Sequence, residues 1–458
     1  MEVTRIVSSS FIVAKPTTKD VAAPLSLFEH PSSASGVFWE PVIGDDPYAR
    51  HRRAILLEPD GSPWVHGNLF LLHLLKMKSH QASTDVQKAA ALQMVRNILT
   101  ELEIDYLCDQ KFKSKRPTYA IKEHFIKQTK SGMKVKYANR IIGVMVEFYE
   151  WLKDYTNHKF KWPLFIKKKY MSHHTDEAGY QFSVEKMTTD LHIKETDTGE
   201  IDKQYIQDGG KLRPLNTNEQ KELINALMGI GNIEMTLAFL IALKTGARML
   251  TVFTLKTDIL RDHDVEDTDE LPVLIGKESN ISNKNNKRMV IYIPGWIHNR
   301  LRTYISSPRA VRRKIINKEN NASDQFIFLT RQGNPYYIGQ KDADFLKYPD
   351  PPSGRSVRKF ISSQLYPQLE KTGSKLRISF HDLRATFGMN YARAGVNEME
   401  LGRISKSGLL NELKQRMGHA SIATTMLYLD YDFAEKYEFK IQEEWETSLM
   451  TDGDFMKD

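Results

Sequence analysis

Cysteine is almost absent from this chain. Its one thiol, Cys108, has no partner for an internal disulfide and excludes any structural zinc site built on several thiolates. Long apolar runs are missing too: Phe70-Leu71-Leu72 is broken at once by His73 and Lys76, far short of the roughly 18 to 20 apolar residues a membrane helix needs. No membrane partner is therefore expected. The N-terminus shows no basic segment followed by an apolar one, so no secretory signal is expected and the chain reads as cytoplasmic. There is no G-x-x-x-x-G-K-[ST] loop, no H-E-x-x-H, no internal repeat and no heptad array. With 41% hydrophobic and 27% charged residues the chain is globular rather than disordered. Its 458 residues suggest three folded units, at about 150 residues each.

Charge is present in both signs but unevenly placed. The net charge is +8, yet residues 433–458 hold eight acids against three lysines, a net of −5, which leaves +13 on residues 1–432. Basic runs occur at Lys111 to Arg116, Lys159 to Tyr170 and Arg309 to Lys318. The second alternates Lys159, Lys161, Lys167, Lys168 and Lys169 with Phe160, Trp162, Phe165 and Tyr170, a composition suited to gripping a phosphate backbone. Any one run alone is equally well a solvated surface.

The hydrophobic pattern divides the chain. Residues 1–83, rich in Pro, Ser, Gly and aromatics, read as irregular or partly β, with no role assigned. Residues 84–155 read as a compact helical domain. Ala91, Val95, Ile98, Leu99 and Leu102 recur at helical spacing, Pro117 opens a second helix that Gly132 closes, and a third spans about Lys136 to Tyr155. Periodicity fades over 156–210, which reads as a basic linker. In 211–432, Thr217 with Gln220 resembles a capping box and Glu234 to Leu243 is helical. Val273 to Ile275 and Met289 to Ile293 form a hairpin with a long polar tip, Phe326 to Leu329 is a short strand, and helices return from His381. Residues 433–458 form an acidic tail in which Phe433, Tyr437, Ile441, Trp445 and Leu449 make one apolar helix stripe. The fold class is mainly α with a small antiparallel β-sheet.

Four polar clusters lie in the last part of the chain. Thr245-Gly246-Ala247-Arg248 places an arginine just after a helix-ending glycine. In His381-Asp382-Leu383-Arg384 at a helix N-terminus, the histidine and arginine are three residues apart and share a face fit for an anion. Met417-Gly418-His419-Ala420-Ser421 puts a histidine in the turn after another helix. Tyr428 follows nine residues after His419. Each alone has an ordinary structural explanation.

In this order and spacing the four clusters resemble the tyrosine recombinase (phage integrase) family, over roughly residues 211–432 for its catalytic domain and more loosely 84–155 for its helical SAM-like core-binding domain. Arg213 to Gln220 and Phe328 to Pro335 also look like family landmarks. The resemblance implies a site-specific DNA recombinase or integrase that cuts and rejoins strands through a 3′-phosphotyrosyl intermediate, for integration or excision of a mobile element. It implies Tyr428 as nucleophile, Arg248 and Arg384 clamping the phosphate, His381 as the base on the phenol, His419 as a phosphate donor, and a hairpin lysine protonating the leaving 5′ oxygen. Lys277 fits that lysine best, with Lys284 and Lys287 as alternatives. Tyr431 is the competing nucleophile. The implied partner is double-stranded DNA, bound by a homo-tetramer clamped around the duplex with Lys159 to Lys169 crossing its backbone, in a nucleoid-associated setting and with no cofactor or metal. The acidic tail is expected to pass to a neighbouring protomer.

Two departures stand out. The family commonly has an acid three residues after the first arginine, where this chain has Thr251, so another group must orient the arginine. The interval from Arg384 to His419 is long, which implies an inserted loop or helix near Gly395 to Leu410. The rival readings are a type IB topoisomerase and a DNA-binding regulator without catalysis.

Overall fold

The computed structural model describes residues 4–8, 14–17, 38–41, 53–78, 82–175, 181–194, 205–260, 265–283, 287–316, 325–339, 348 and 351–431. The acidic tail and Lys284 lie outside them. The chain divides into two compact units, residues 1–174 with 181–199 and residues 175–180 with 200–458.

In the first unit β1 (Thr4–Ser8) pairs antiparallel with β4 (Arg53–Leu57), and β2 (Ala14–Thr17) with β3 (Phe38–Pro41). Four helices follow: α1 (Val65–Lys78), α2 (Ala82–Glu101), α3 (Pro117–Lys130) and α4 (Val135–Tyr155). The last three stand where the apolar spacing places them. Helix α1 is a difference, since that stretch reads from sequence as irregular or partly β. Its leucines run almost without interruption, so no single face announces a helix, yet Phe70, Leu71 and Leu74 are buried with Trp64 in the core of α2 and α4.

Part of the segment read as a linker is packed on these helices. Arg116 donates to the Pro163 carbonyl at 2.8 Å and Thr118 to that of Leu164. Asp190 accepts from Ile166 N and Tyr119 Oη, each at 2.8 Å, and the Asn139 amide bonds both backbone groups of Ile193. Leu164, Leu191 and Ile193 are buried in the helical core. Between them β5 (Lys167–Thr175) and β6 (Gln181–Thr189) pair as a two-stranded ribbon.

The second unit opens with a miniature hairpin, β7 (Ile206–Gln207) and β8 (Lys211–Leu212), turned by Asp208-Gly209-Gly210. Then come α5 (Thr217–Ile230), α6 (Ile233–Thr245) and α7 (Met249–Phe253). The capping box of α5 sits one residue earlier than the sequence suggests: Asn216 Oδ1 accepts from Glu219 N, and the Glu219 carboxylate accepts from Asn216 N, each at 2.9 Å. Asn216 can leave the helix while its side chain accepts from the third residue on, as an N-cap must.

The hairpin is β9 (Glu270–Ile275) with β10 (Met289–Pro294), antiparallel from Met289 opposite Ile275. Phe326 to Leu329 makes isolated bridges, Lys256 with Phe326 and Leu329 with Pro335, because the turn at 330–335 leaves no room for a longer ladder. Helices α8 (Gly295–Ile305), α9 (Pro308–Ile316), α10 (Arg355–Phe360) and α11 (Tyr366–Lys371) follow. The unit ends with α12 (Asp382–Glu400), α13 (Lys406–Met417) and α14 over 422–431. The extra residues near Gly395 to Leu410 are the last turns of α12, a tight turn and the start of α13. Helix α6 is apolar on every side and buried, the state expected of a helix without a polar face, and α12 packs on it. The chain is thus mainly helical with small antiparallel sheets. No helix among the described residues is long and apolar enough to cross a membrane.

Candidate active site

Three chain reversals aim polar groups at one spot in the second unit. The first follows α6, where Gly246 ends the helix in the left-handed region at φ 67°. A Cβ there would lie 2.6 Å from the Phe387 ring, so both backbone and packing ask for glycine. Arg248, the N-cap of α7, is half-buried; its carbonyl accepts from Val252 N at 3.0 Å, while its side chain makes no cap bond.

The second reversal is the start of α12. Asp382 secures it by accepting from Ser379 N at 2.7 Å, Ser379 Oγ at 2.9 Å and Arg213 N at 3.0 Å. His381 stands at the N-cap. Arg384, 1% exposed, donates from Nη1 to the Gly246 carbonyl at 2.9 Å and from Nη2 to the Met417 carbonyl at 2.6 Å. One guanidinium thus ties α12 to the C-terminal turns of α6 and α13.

The third reversal is Gly418, left-handed at φ 62°, after α13. His419 follows in the turn, and Ser421 accepts from Ala423 N at 3.1 Å to start α14. Tyr428 is fully buried, its ring lying over that of His419 at 5.8 Å between centroids. Gly388 of α12 makes room for it, since a Cβ there would sit 2.4 Å from the phenol ring.

Arg384 of the second reversal and His419 and Tyr428 of the third meet on one carboxylate oxygen. Asp208 Oδ2 accepts from Arg384 Nε at 2.9 Å, His419 Nε2 at 3.1 Å and Tyr428 Oη at 3.2 Å. A carboxylate only accepts, so His419 carries its proton on Nε2 and its Nδ1 accepts from Thr425 Oγ1 at 2.9 Å. Burial alone would raise the Asp208 carboxyl, but the His419 hydrogen bond and the Arg384 charge hold it well below the usual range. Burial pushes the Tyr428 phenol far up, and the Asp208 charge adds to that. Burial lowers the imidazoles of His419 and His381. Around His381 the nearby charges of Arg384 and Arg248 add to the effect. Arg248 is itself lowered by burial and then by Arg384.

The structure therefore gathers Arg384, His419 and Tyr428 at one point, with Arg248 and His381 within reach of their charges. Tyr431 is directed elsewhere, lining a cavity of about 140 Å³ with Arg213, Asn216 and Arg393. The hairpin tip is less uniform. Lys277 opens a short 3-10 turn closed by the Gly276–Ile281 bridge. Lys287 Nζ reaches the His419 carbonyl oxygen at 3.4 Å. Lys159, Lys161, Lys167, Lys168 and Lys169 are exposed on the first unit, where Lys167 pairs with Glu150 at 2.6 Å and Lys169 with Glu185 at 2.7 Å.

Sequence reasoning missed Asp208, Asp382, Thr425 and Gly388. Asp382 had a readable signal as an acid in the first turn of a helix. Asp208, 40 residues before Arg248 in a segment without periodicity, had none.

One guanidinium, one imidazole and a phenol donate to a single carboxylate oxygen, with Arg248 and His381 feeling the charges around it, an arrangement chemically suited to holding an oxyanion beside a hydroxyl. Residues 213–435 match the phage integrase family, and the chain accordingly carries a tyrosine recombinase domain of that family. Among solved structures it is similar to the Tn1549 transposon integrase in complex with circular intermediate DNA, with 15% identity, TM-score 0.42, and coverage of 82% of this chain and 99% of that one. The same integrase in complex with transposon right end DNA gives 15% identity, TM-score 0.41 and the same coverage. No curated protein matches the chain.

Proposed function

We propose that this protein is a site-specific DNA recombinase that integrates or excises a mobile element by cutting and rejoining strands through a phosphotyrosyl bond. The observation that carries this reading is the meeting of Arg384, His419 and Tyr428 on a single oxygen of Asp208. An anionic oxygen satisfied by that set is what a non-bridging phosphate oxygen would be.

In the reaction Tyr428 Oη forms a bond to phosphorus while the bond from phosphorus to the 5′ oxygen breaks. The phenol proton passes to His381, whose lowered affinity for protons leaves it neutral and able to accept one. Arg248, Arg384 and His419 hold the non-bridging oxygens as charge grows on them. The leaving 5′ oxygen takes a proton from a lysine of the β9–β10 hairpin. Lys287 is the candidate that geometry supports, since its ammonium stands beside His419, and Lys277 and Lys284 are the alternatives. The phosphotyrosyl bond conserves the energy of the phosphodiester, so the 5′-hydroxyl of another strand can reverse the step without nucleotide or metal.

The helical domain over 84–155 and the exposed lysines at 159–169 serve as a second grip on double-stranded DNA, and four protomers assemble on it. Suicide DNA substrates carrying the recombination site test the reading: a covalent adduct must form and must be lost in Tyr428→Phe. Loss of the adduct in Tyr431→Phe alone would overturn the assignment.

A further inference from the structure

The group at the centre of the site belongs to neither the family resemblance nor the proposed chemistry. Asp208 is 4% exposed, and its Oδ2 takes the hydrogen bonds that the reaction needs for a phosphate. Arg384 shows why the two anions compete. One N–H of Nη1 and one of Nη2 go to the Gly246 and Met417 carbonyls and Nε goes to Asp208, so an incoming anion meets a guanidinium whose charge a carboxylate already balances. Tyr428 donates its hydroxyl hydrogen to the same oxygen, which keeps the phenol protonated and its proton away from His381.

The mounting of Asp208 is slight. It sits at the turn of a hairpin whose strands are two residues each, followed by Gly209 at φ 71° and an exposed Gly210. Ile206 and Leu212 of that hairpin pack into the same apolar cluster as Tyr428 and Met417. A hairpin whose strands are two residues each can withdraw once its carboxylate is exchanged for another anion, and its withdrawal would also loosen the packing around the tyrosine.

We propose that the 206–212 hairpin is an autoinhibitory plug in which the Asp208 carboxylate occupies the place of the scissile phosphate until a phosphodiester displaces it. The proposal rests on the reading of the site as a phosphodiester-cleaving centre. The free protein is thereby kept from attacking stray phosphates, and exchange of one anion for another releases the phenol at the moment substrate arrives. The alternative is a fixed brace in which Asp208 permanently orients Arg384 and His419.

The test uses the full chain and inorganic phosphate as the probe. Calorimetric titration of Asp208→Asn, which keeps the shape and removes the charge, should show phosphate binding at least tenfold tighter than in the wild type. Unchanged or weaker binding overturns the plug and favours the brace. On the wild type itself, saturating phosphate should speed hydrogen exchange at residues 206–212. Unaltered exchange there overturns the proposal even if the variant fails to fold. Single-turnover reaction with a suicide substrate separates this idea from the function beneath it. If neither protein forms a tyrosine adduct while phosphate binding and exchange respond as stated, the displacement of Asp208 by an anion stands and the recombinase reading falls. If both form adduct at equal rates and phosphate binding is the same, the recombinase stands and the plug falls.

Discussion

Arg248 and Arg384 have the same chemical part in the proposed reaction, yet alanine at the two positions should have very different effects on the fold. Arg384 bonds Asp208 and the Gly246 and Met417 carbonyls at 2.6–2.9 Å while 1% exposed. Removing one partner of a buried ion pair costs about 3–5 kcal/mol, and each carbonyl left without a donor adds about 1–3 kcal/mol. A loss of about 5 kcal/mol lowers the melting temperature of a unit of this size by roughly 10–20 °C. The Arg248 side chain is half-buried and makes no cap bond, and the like charge of Arg384 acts on it more strongly than the opposite charge of Asp208. Its removal deletes no partner and relieves a like-charge contact, so Arg248→Ala should change stability by less than about 1 kcal/mol. Cleavage should fall in both, because each loses an oxyanion donor worth about 3–4 kcal/mol, a factor of hundreds in rate. Calorimetric melting beside single-turnover adduct formation reads both quantities. An Arg248→Ala protein that melts as early as Arg384→Ala, or that cleaves at nearly the wild-type rate, refutes the reasoning.

Gly388→Ala should lower adduct formation more than tenfold with DNA binding intact, since its Cβ would meet the Tyr428 ring at 2.4 Å; overpacking costs about 1–3 kcal/mol. A helix-interior glycine with room to spare would instead gain roughly 0.5–1 kcal/mol, so a stabilised, fully active variant contradicts the packing argument. Lys287→Ala should slow cleavage of an ordinary 5′-oxygen substrate while sparing one with a sulfur leaving group, which needs no proton; the same rescue in Lys277→Ala or Lys284→Ala instead would move the assignment. Adduct formation should be flat with pH between 7 and 8 as far as His381 is concerned. Its imidazole loses its proton below the ordinary 6.5, and the rate should fall only as acid restores that proton; a decline that begins already between pH 8 and 7 speaks against His381 as the base.

How far the sequence could be read follows from the range over which each signal acts. Helices α2 to α5 and the β9–β10 hairpin were legible because their spacing reports local geometry: one face every three to four residues, a strand every second one. Helix α1 was not, because the five leucines and Phe70 crowded into residues 69–75 give no face to detect. The segment over 156–194 read as a linker since the bonds of Asp190 and Asn139 that pin it cross from 24 to 71 residues of chain, and a side chain that closes such a distance looks like any polar residue. The same holds within the candidate site. Arg248 and His419 stand out because each follows a helix-ending glycine, His381 and Arg384 because they open α12, and Tyr428 by its interval from His419. Asp208 meets Tyr428 across 220 residues from a hairpin too small to show a pattern. What the chain order could state was that some group must replace the acid missing at Thr251. The structure places a carboxylate in the pocket, bonded to Arg384 and the phenol while Arg248 feels only its charge, and the proposed chemistry asks an incoming phosphate to take that carboxylate's place.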